Sequence, residues 1–221
     1  MIVRSGRTLR VGLVADTHVG EFLDELPDWV PHVLEGCDLI LHAGDLSHAW
    51  VLDRLEMVAP VKAVRGDHDV DCGHLPEALV ATVAGWRIGL VHGGLGKPWD
   101  TRTVVRQAAL GPYDWHSELH RRLQRRLGSV DAVVYGHWHI PLAERVGGTL
   151  FVSPGAVCPW GSLEGGRPPR PGAAGIADVV VRRFRRCLDP EAMEPTVAVL
   201  EVGSSGLRPR HIRMRPPGGD G

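Results

Sequence analysis

The chain has 221 residues, 43% of them hydrophobic and 23% charged, with a formal net charge of -1. That is long enough and apolar enough for a soluble globular protein with one real core, and the near-neutral charge makes a dedicated nucleic-acid binder an unfavoured reading. No segment approaches membrane-span length, the first residues carry no signal-peptide pattern, and Cys37, Cys72, Cys158 and Cys187 form no CxxC pair, so reduced thiols and a cytoplasmic location are expected.

The spacing predicts a buried strand over Leu9–Ala15, a helix over Leu26–Leu34 weakened by Pro27 and Pro31, and a strand over Asp38–His42. A helix over Ala49–Val58 and a strand over Val61–Val64 complete a strand–helix–strand–helix–strand run, which implies a parallel sheet with helices on its faces. The pattern then changes. Leu79–Ala84 and Trp86–Val91 flank Gly85 as a tight antiparallel hairpin, and the glycines of 93–97 suggest an open loop. Asp114 is placed to cap a helix that runs through Glu118 to Leu127 and stops at Gly128.

Further strands are expected over Asp131–Tyr135 and Thr149–Val152, and a terminal hairpin over Thr196–Val202 and Leu207–Met214. Ile176–Arg186 fits a strand slightly better than a helix because of its run of three valines. Residues 1–221 read as one domain, with 161–195 an irregular, Gly-, Pro- and Arg-rich insertion within it. The whole is expected to be an α/β sandwich of one strand–helix sheet and one hairpin-rich sheet, with helices outside.

Metal-capable residues recur at the ends of the apolar runs. VADTH delivers Asp16 and His18, HAGD delivers Asp45, RGDHD delivers Asp67, VHGG delivers His92, and YGHWH delivers His137 and His139. Carboxylate oxygen and imidazole nitrogen suit manganese, nickel, iron or zinc, and three carboxylates with four imidazoles suffice for two divalent ions sharing one carboxylate. Residues at the carboxyl ends of sheet strands converge on one crevice. His68, with Asp69 beside it, is a candidate catalytic acid supported by a carboxylate. His42 and His74 are candidates for a supporting layer, whereas His32, His48, His116, His120 and His211 read as ordinary.

VADTH, AGD, GDHD, VHGG and YGHWH, in that order, resemble the motifs of calcineurin-like metallophosphoesterases, and the compact length resembles the small YfcE-like phosphodiesterase branch. The resemblance spans roughly Leu9 to Gly155 and the terminal hairpin. It implies an αββα sandwich of two mixed sheets flanked by helices. It also implies one ion among Asp16, His18, Asp45 and His139 and another among Asp45, Asp67, His92 and His137, with Asp45 and a hydroxide bridging them. His68 matches the histidine of the family's GNH[D/E] motif. Two departures stand out: Asp67 where the family has asparagine, and Ser153-Pro154-Gly155-Ala156 where it has Asn-Pro-Gly-Ser.

The function expected on this basis is a two-metal hydrolase with manganese as first choice and nickel, iron or zinc as alternatives. It would act on a small phosphorylated substrate by attack of the bridging hydroxide. Because three aspartates leave only one net positive charge on two divalent ions, a diester is the expected substrate. The other readings are a phosphomonoesterase or nucleotide pyrophosphatase, or a catalytically quiet metal-binding scaffold. The last follows a small relative, the retromer scaffold subunit, that uses this fold for protein interaction. The insertion is a candidate contact for a homo-oligomer.

Overall fold

Alternate residues along each central strand belong to different apolar layers, and that alternation sets the architecture. The computed structural model describes residues 7–160, 162 and 173–214. In chain order its elements are β1 (Leu9–Val14), α1 (Trp29–Leu34), β2 (Leu39–His42), α2 (Trp50–Glu56), β3 (Val61–Ala63), β4 (Ala78–Val83) and β5 (Trp86–Val91). There follow α3 (Lys97–Leu110), α4 (His116–Leu127), β6 (Ala132–Val134), β7 (Pro141–Val146), β8 (Thr149–Pro154), α5 (Ala173–Arg185), β9 (Thr196–Gly203) and β10 (Gly206–Arg213).

Two five-stranded mixed sheets result, ordered β10-β9-β1-β2-β3 and β4-β5-β6-β8-β7. In the first, β1, β2 and β3 run parallel while β9 pairs antiparallel with β1 and with β10. In the second, β5, β6 and β8 run parallel and the hairpin partners β4 and β7 close the edges. Leu9, Val11 and Leu13 of β1, Leu39 and Leu41 of β2, Ile88 and Leu90 of β5, Ala132 and Val134 of β6, and Leu200 of β9 fill the space between the sheets. Each such leucine, fully buried, contributes about 1.5–3 kcal/mol.

The intervening residues face outward onto helices. Val14, Ile40, Val197 and Val199 pack with Val30 and Leu34 of α1 and Val51 and Leu55 of α2. Val133, Tyr135 and Phe151 pack with Leu119 and Leu123 of α4 and Phe184 of α5. The molecule is therefore an α/β sandwich of two mixed sheets flanked by helices, as expected.

Three local expectations need correction. The segment expected to be a strand around Val179–Val181 is the helix α5, because helical spacing puts Val180 and Phe184 together against the second sheet's outer layer while Val179 faces solvent. The described part of 161–195 is thus largely helical rather than irregular; residues 163–172 lie outside the described residues. Helix α3 and the edge strand β7 were not foreseen. The buried positions of α3 are Thr103, Gln107 and Ala108, polar or small residues that write no apolar stripe, and β7 is half exposed along its length.

Among the described residues, no helix is long and apolar enough to cross a membrane.

Candidate metal centre

Every expected donor follows the carboxyl end of a parallel strand: Asp16 and His18 after β1, Asp45 after β2, Asp67 after β3, His92 after β5, His137 and His139 after β6. Backbone hydrogen bonds stitch these loops together. Asp16 N donates to the Gly44 carbonyl at 3.0 Å, His18 N to Asp45 O at 3.0 Å, and within the second sheet Gly136 N to His92 O at 2.8 Å. Asp16, His18, Asp45, His137 and His139 all adopt left-handed backbone, with φ between 47° and 72°. For a residue bearing a Cβ this conformation costs roughly 1–2 kcal/mol. Such strain at five donors marks a site whose side-chain directions are imposed by the surrounding structure.

Two close approaches make the convergence possible. A Cβ on Gly66 would run into the Asp45 carboxylate and backbone nitrogen, and one on Gly136 would stand 2.8 Å from Asp16 Oδ2 and 2.8 Å from Ala15 Cβ.

The seven donors fall into linked groups. Asp16, His18 and His139 lie close enough to share an ion, as do Asp67, His92 and His137, and Asp16, Asp45 and His92. Asp45 stands in the middle: its Oδ2 is 3.5 Å from His18 Nε2 and 3.3 Å from His92 Nε2, and its Oδ1 accepts the His68 backbone N–H at 2.9 Å. His139 Nε2 lies 3.6 Å from Asp16, and His137 Nδ1 lies 3.3 Å from Asp67. The ion pairs of Asp16, Asp45 and Asp67 among the described residues are all with histidines. Imidazoles packed around carboxylates that pair with no lysine or arginine among the described residues are the donor chemistry a divalent transition metal takes, so the residues present fit such an ion.

The electrostatics follow. Burial pushes the Asp16 carboxyl up to about 8. Burial also opposes charge on Asp45, yet the hydrogen bond and charge of His92, then His18, hold that carboxyl well below the usual range. Burial likewise works against charge on His137, but Asp100 and then Asp67 hold its imidazolium up to about 10. Burial lowers His18 and His139, keeping them neutral and fit to ligate.

Outer partners select which nitrogen each ring offers. His92 Nδ1–H donates to the Ala43 carbonyl at 2.9 Å, leaving Nε2 for the site. His137 Nε2 lies 3.5 Å from Asp100 on α3, leaving Nδ1. His42, fully buried and pushed down to about 3 by that burial, accepts the Gly44 N–H and lies 3.4 Å from Thr17 Oγ1. It braces the β1 and β2 loops from behind, the supporting place considered for it. His74 has no comparable position; it lies exposed on the β3–β4 loop.

The pairing expected of His68 and Asp69 is not the one observed. Asp69 spends both oxygens on backbone, accepting Ser47 N–H at 2.8 Å and Gly66 N–H at 2.7 Å, so it ties loops. The carboxylate beside His68 is Glu21, 3.0 Å from Nδ1. Glu21 and Asp100 are the site residues sequence reasoning missed; neither belongs to a strand-end motif. An open cavity of about 410 Å³ lies alongside, lined by Glu21, His48, Asp67, His68 and Val70.

Comparison with known proteins adds relatives and corrections. The chain is 30% identical over 162 residues to the "Probable metallophosphoesterase MJ0623" of Methanocaldococcus jannaschii, covering 72% of this chain and 75% of that one. Its structure resembles Vacuolar Protein Sorting 29 from Cryptosporidium parvum, with TM-score 0.57, 19% identity, and coverage of 95% and 99% of the two chains. Wild-type Vps29 from Entamoeba histolytica complexed with Zn2+ matches with TM-score 0.54 and 22% identity over 93% and 99%. At these identities the likeness carries the fold.

The run of Vps29 structures overturns the expected placement in the YfcE-like phosphodiesterase branch. With it go the expected hydrolase with a dinuclear manganese centre and the small phosphorylated substrate. The physical reason lies in the charge: Glu21 and Asp100 bring the carboxylates around the site to five, enough to outweigh even two divalent ions. What stands is a set of His and Asp clusters able to chelate a divalent metal. The family model for the calcineurin-like phosphoesterase superfamily domain matches residues 9–179, and the chain belongs to that superfamily.

Proposed function

We propose that the chain is a catalytically quiet, metal-holding member of its superfamily that works by protein interaction, the ion ordering the loops at one end of the sandwich. The observation that carries this reading is the charge balance. Asp16, Asp45, Asp67, Glu21 and Asp100 surround the histidines, and no lysine or arginine among the described residues pairs with the first three. A phosphate ester needs a surplus of positive charge to bind and to stabilise its transition state, and this set leaves none. The whole-length likeness to Vps29 structures, one of them with zinc, supports the same reading.

Asp16, His18, Asp45, His92 and His139 form the buried part of the proposed ligand set, and Asp67 and His137 the part nearer solvent. His68 belongs to the rim rather than to a catalytic dyad. Zinc is the ion to load first. The four free cysteines, three of them buried, fit a cytoplasmic setting.

The test is elemental analysis of the purified protein, followed by reconstitution with zinc, manganese, nickel or iron and assay of bis-p-nitrophenyl phosphate and p-nitrophenyl phosphate. Bound metal with background turnover of both esters is expected. Metal-dependent turnover that Asp45→Ala abolishes would overturn the reading.

A further inference from the structure

Glu21 is absent from every strand-end motif, yet three of the site's loops meet on it. Its Oε2 lies 3.4 Å from His18 Nδ1, 3.2 Å from Ser47 Oγ and 3.0 Å from His68 Nδ1. Those donors follow β1, β2 and β3 respectively. The two nitrogens of His18 are thus divided: Nε2 faces Asp45 at 3.5 Å, inside the site, and Nδ1 faces Glu21 on the outside. A ligating histidine characteristically gives its second ring N–H to such a carboxylate, which fixes the tautomer and ring direction and raises the basicity of the ligating nitrogen.

We propose that Glu21 is the positioning residue of the metal centre: it holds His18 with Nε2 free for the ion and ties the half-exposed His68 to that same state. This rests on the metal-holding reading above and extends it to what sets the site's affinity. The geometry is specific to His18 and His68. Ser47 Oγ–H fills a further lone pair of Oε2, and the His68 backbone is independently held by Asp45 Oδ1. Removing Glu21 therefore leaves the His68 loop attached through its backbone while both imidazoles lose their orienting acceptor. His18 lies at a left-handed backbone position with a ring that also contacts Phe22 and His68 edge-on, so its ring is packed in place and only its protonated nitrogen needs choosing.

The experiment measures zinc affinity by competition with a chromophoric chelator on the full chain, with the melting temperature of the metal-free protein and the 15N shifts of its histidines. Glu21→Ala is expected to weaken zinc binding by about 10–100-fold, the usual effect of losing an outer-shell partner. The number of ions bound at saturation should not change, and the His18 resonances should shift toward a mixture of tautomers. Glu21→Gln, which keeps an acceptor oxygen without the charge, should fall between Ala and wild type. Zinc affinity within about twofold of wild type for Glu21→Ala, well short of an outer-shell effect, would overturn the proposal, whatever the melting temperature does. Loss of one zinc equivalent in that variant would also overturn it, by making Glu21 a ligand. If the wild type binds no zinc, the metal-holding reading itself fails, and this inference with it; the intact protein therefore separates the two failures.

Discussion

The buried end of the metal centre and its rim are built by different means. Asp16, His18, Asp45, His92 and His139 are buried at strand ends, several on strained backbone, and held by hydrogen bonds of the main chain. At the rim, side chains are 63% exposed for Asp67, 47% for His68, 32% for Glu21 and 18% for Asp100; Glu21 and His68 hold each other, and Asp67 and Asp100 pair with His137. The difference teaches that the sheets dictate where the inner donors point, whereas the rim tunes charge and protonation through contacts that cost little to change. Inner substitutions should therefore act on the existence of the site and rim substitutions on its strength.

The largest effect is expected from Asp45→Ala, which removes the carboxylate between the two donor groups. Zinc affinity should fall by more than about 100-fold, beyond the range seen for outer partners, with the far-ultraviolet circular dichroism unchanged. Retention of zinc through dialysis would break the assignment of Asp45 as the shared donor.

Gly136→Ala comes next. The new methyl would sit against Asp16 Oδ2 and Ala15 Cβ, so overpacking should cost about 1–3 kcal/mol in chemical denaturation and weaken metal binding at the same time. A stability loss with intact affinity would separate the loop packing from the site.

The buried histidines behind the sheets set a pH response. Burial pushes His42 down to about 3 and His120 down to about 4, below an ordinary imidazole at ~6.5. Between those values the unfolded chain takes up protons that the folded chain refuses, so stability rises with pH there. The penalty that these two histidines place on the metal-free protein should be absent above about 6.5 and grow as the pH falls toward about 4. His120→Gln should flatten the melting-temperature profile across that window; an unaltered slope would remove His120 from the account.

The smallest effect is expected at the rim. Asp67 is more than half exposed and its carboxyl is held low chiefly by the His137 hydrogen bond. Asp67→Asn should weaken metal binding by less than about tenfold, the lower end of single-partner effects, without conferring ester hydrolysis. A loss equal to that of Asp45→Ala would erase the distinction between inner end and rim.

Most of the fold and the inner donors were legible because their signals are local. Short apolar runs such as Leu9–Ala15 and Asp131–Tyr135 identify strands, and an aspartate or histidine within a residue or two of the end of one must lie at a strand end. α3 was illegible because its buried face is Thr103, Gln107 and Ala108, and it is this helix that brings Asp100 to His137. α5 read as a strand because three consecutive valines favour extended backbone until Val180 and Phe184 find a common surface. Asp69 lies one residue from His68, but chain proximity does not say that its oxygens turn to the Ser47 and Gly66 amides.

By itself, then, the sequence determined the α/β sandwich and the seven strand-end donors, because both are written in residue spacing. Tertiary structure alone decided the company those donors keep. Glu21 and Asp100 reach His18, His68 and His137 through space. Pairing between side chains on different loops has no period along the chain, so no pattern in the sequence could announce it.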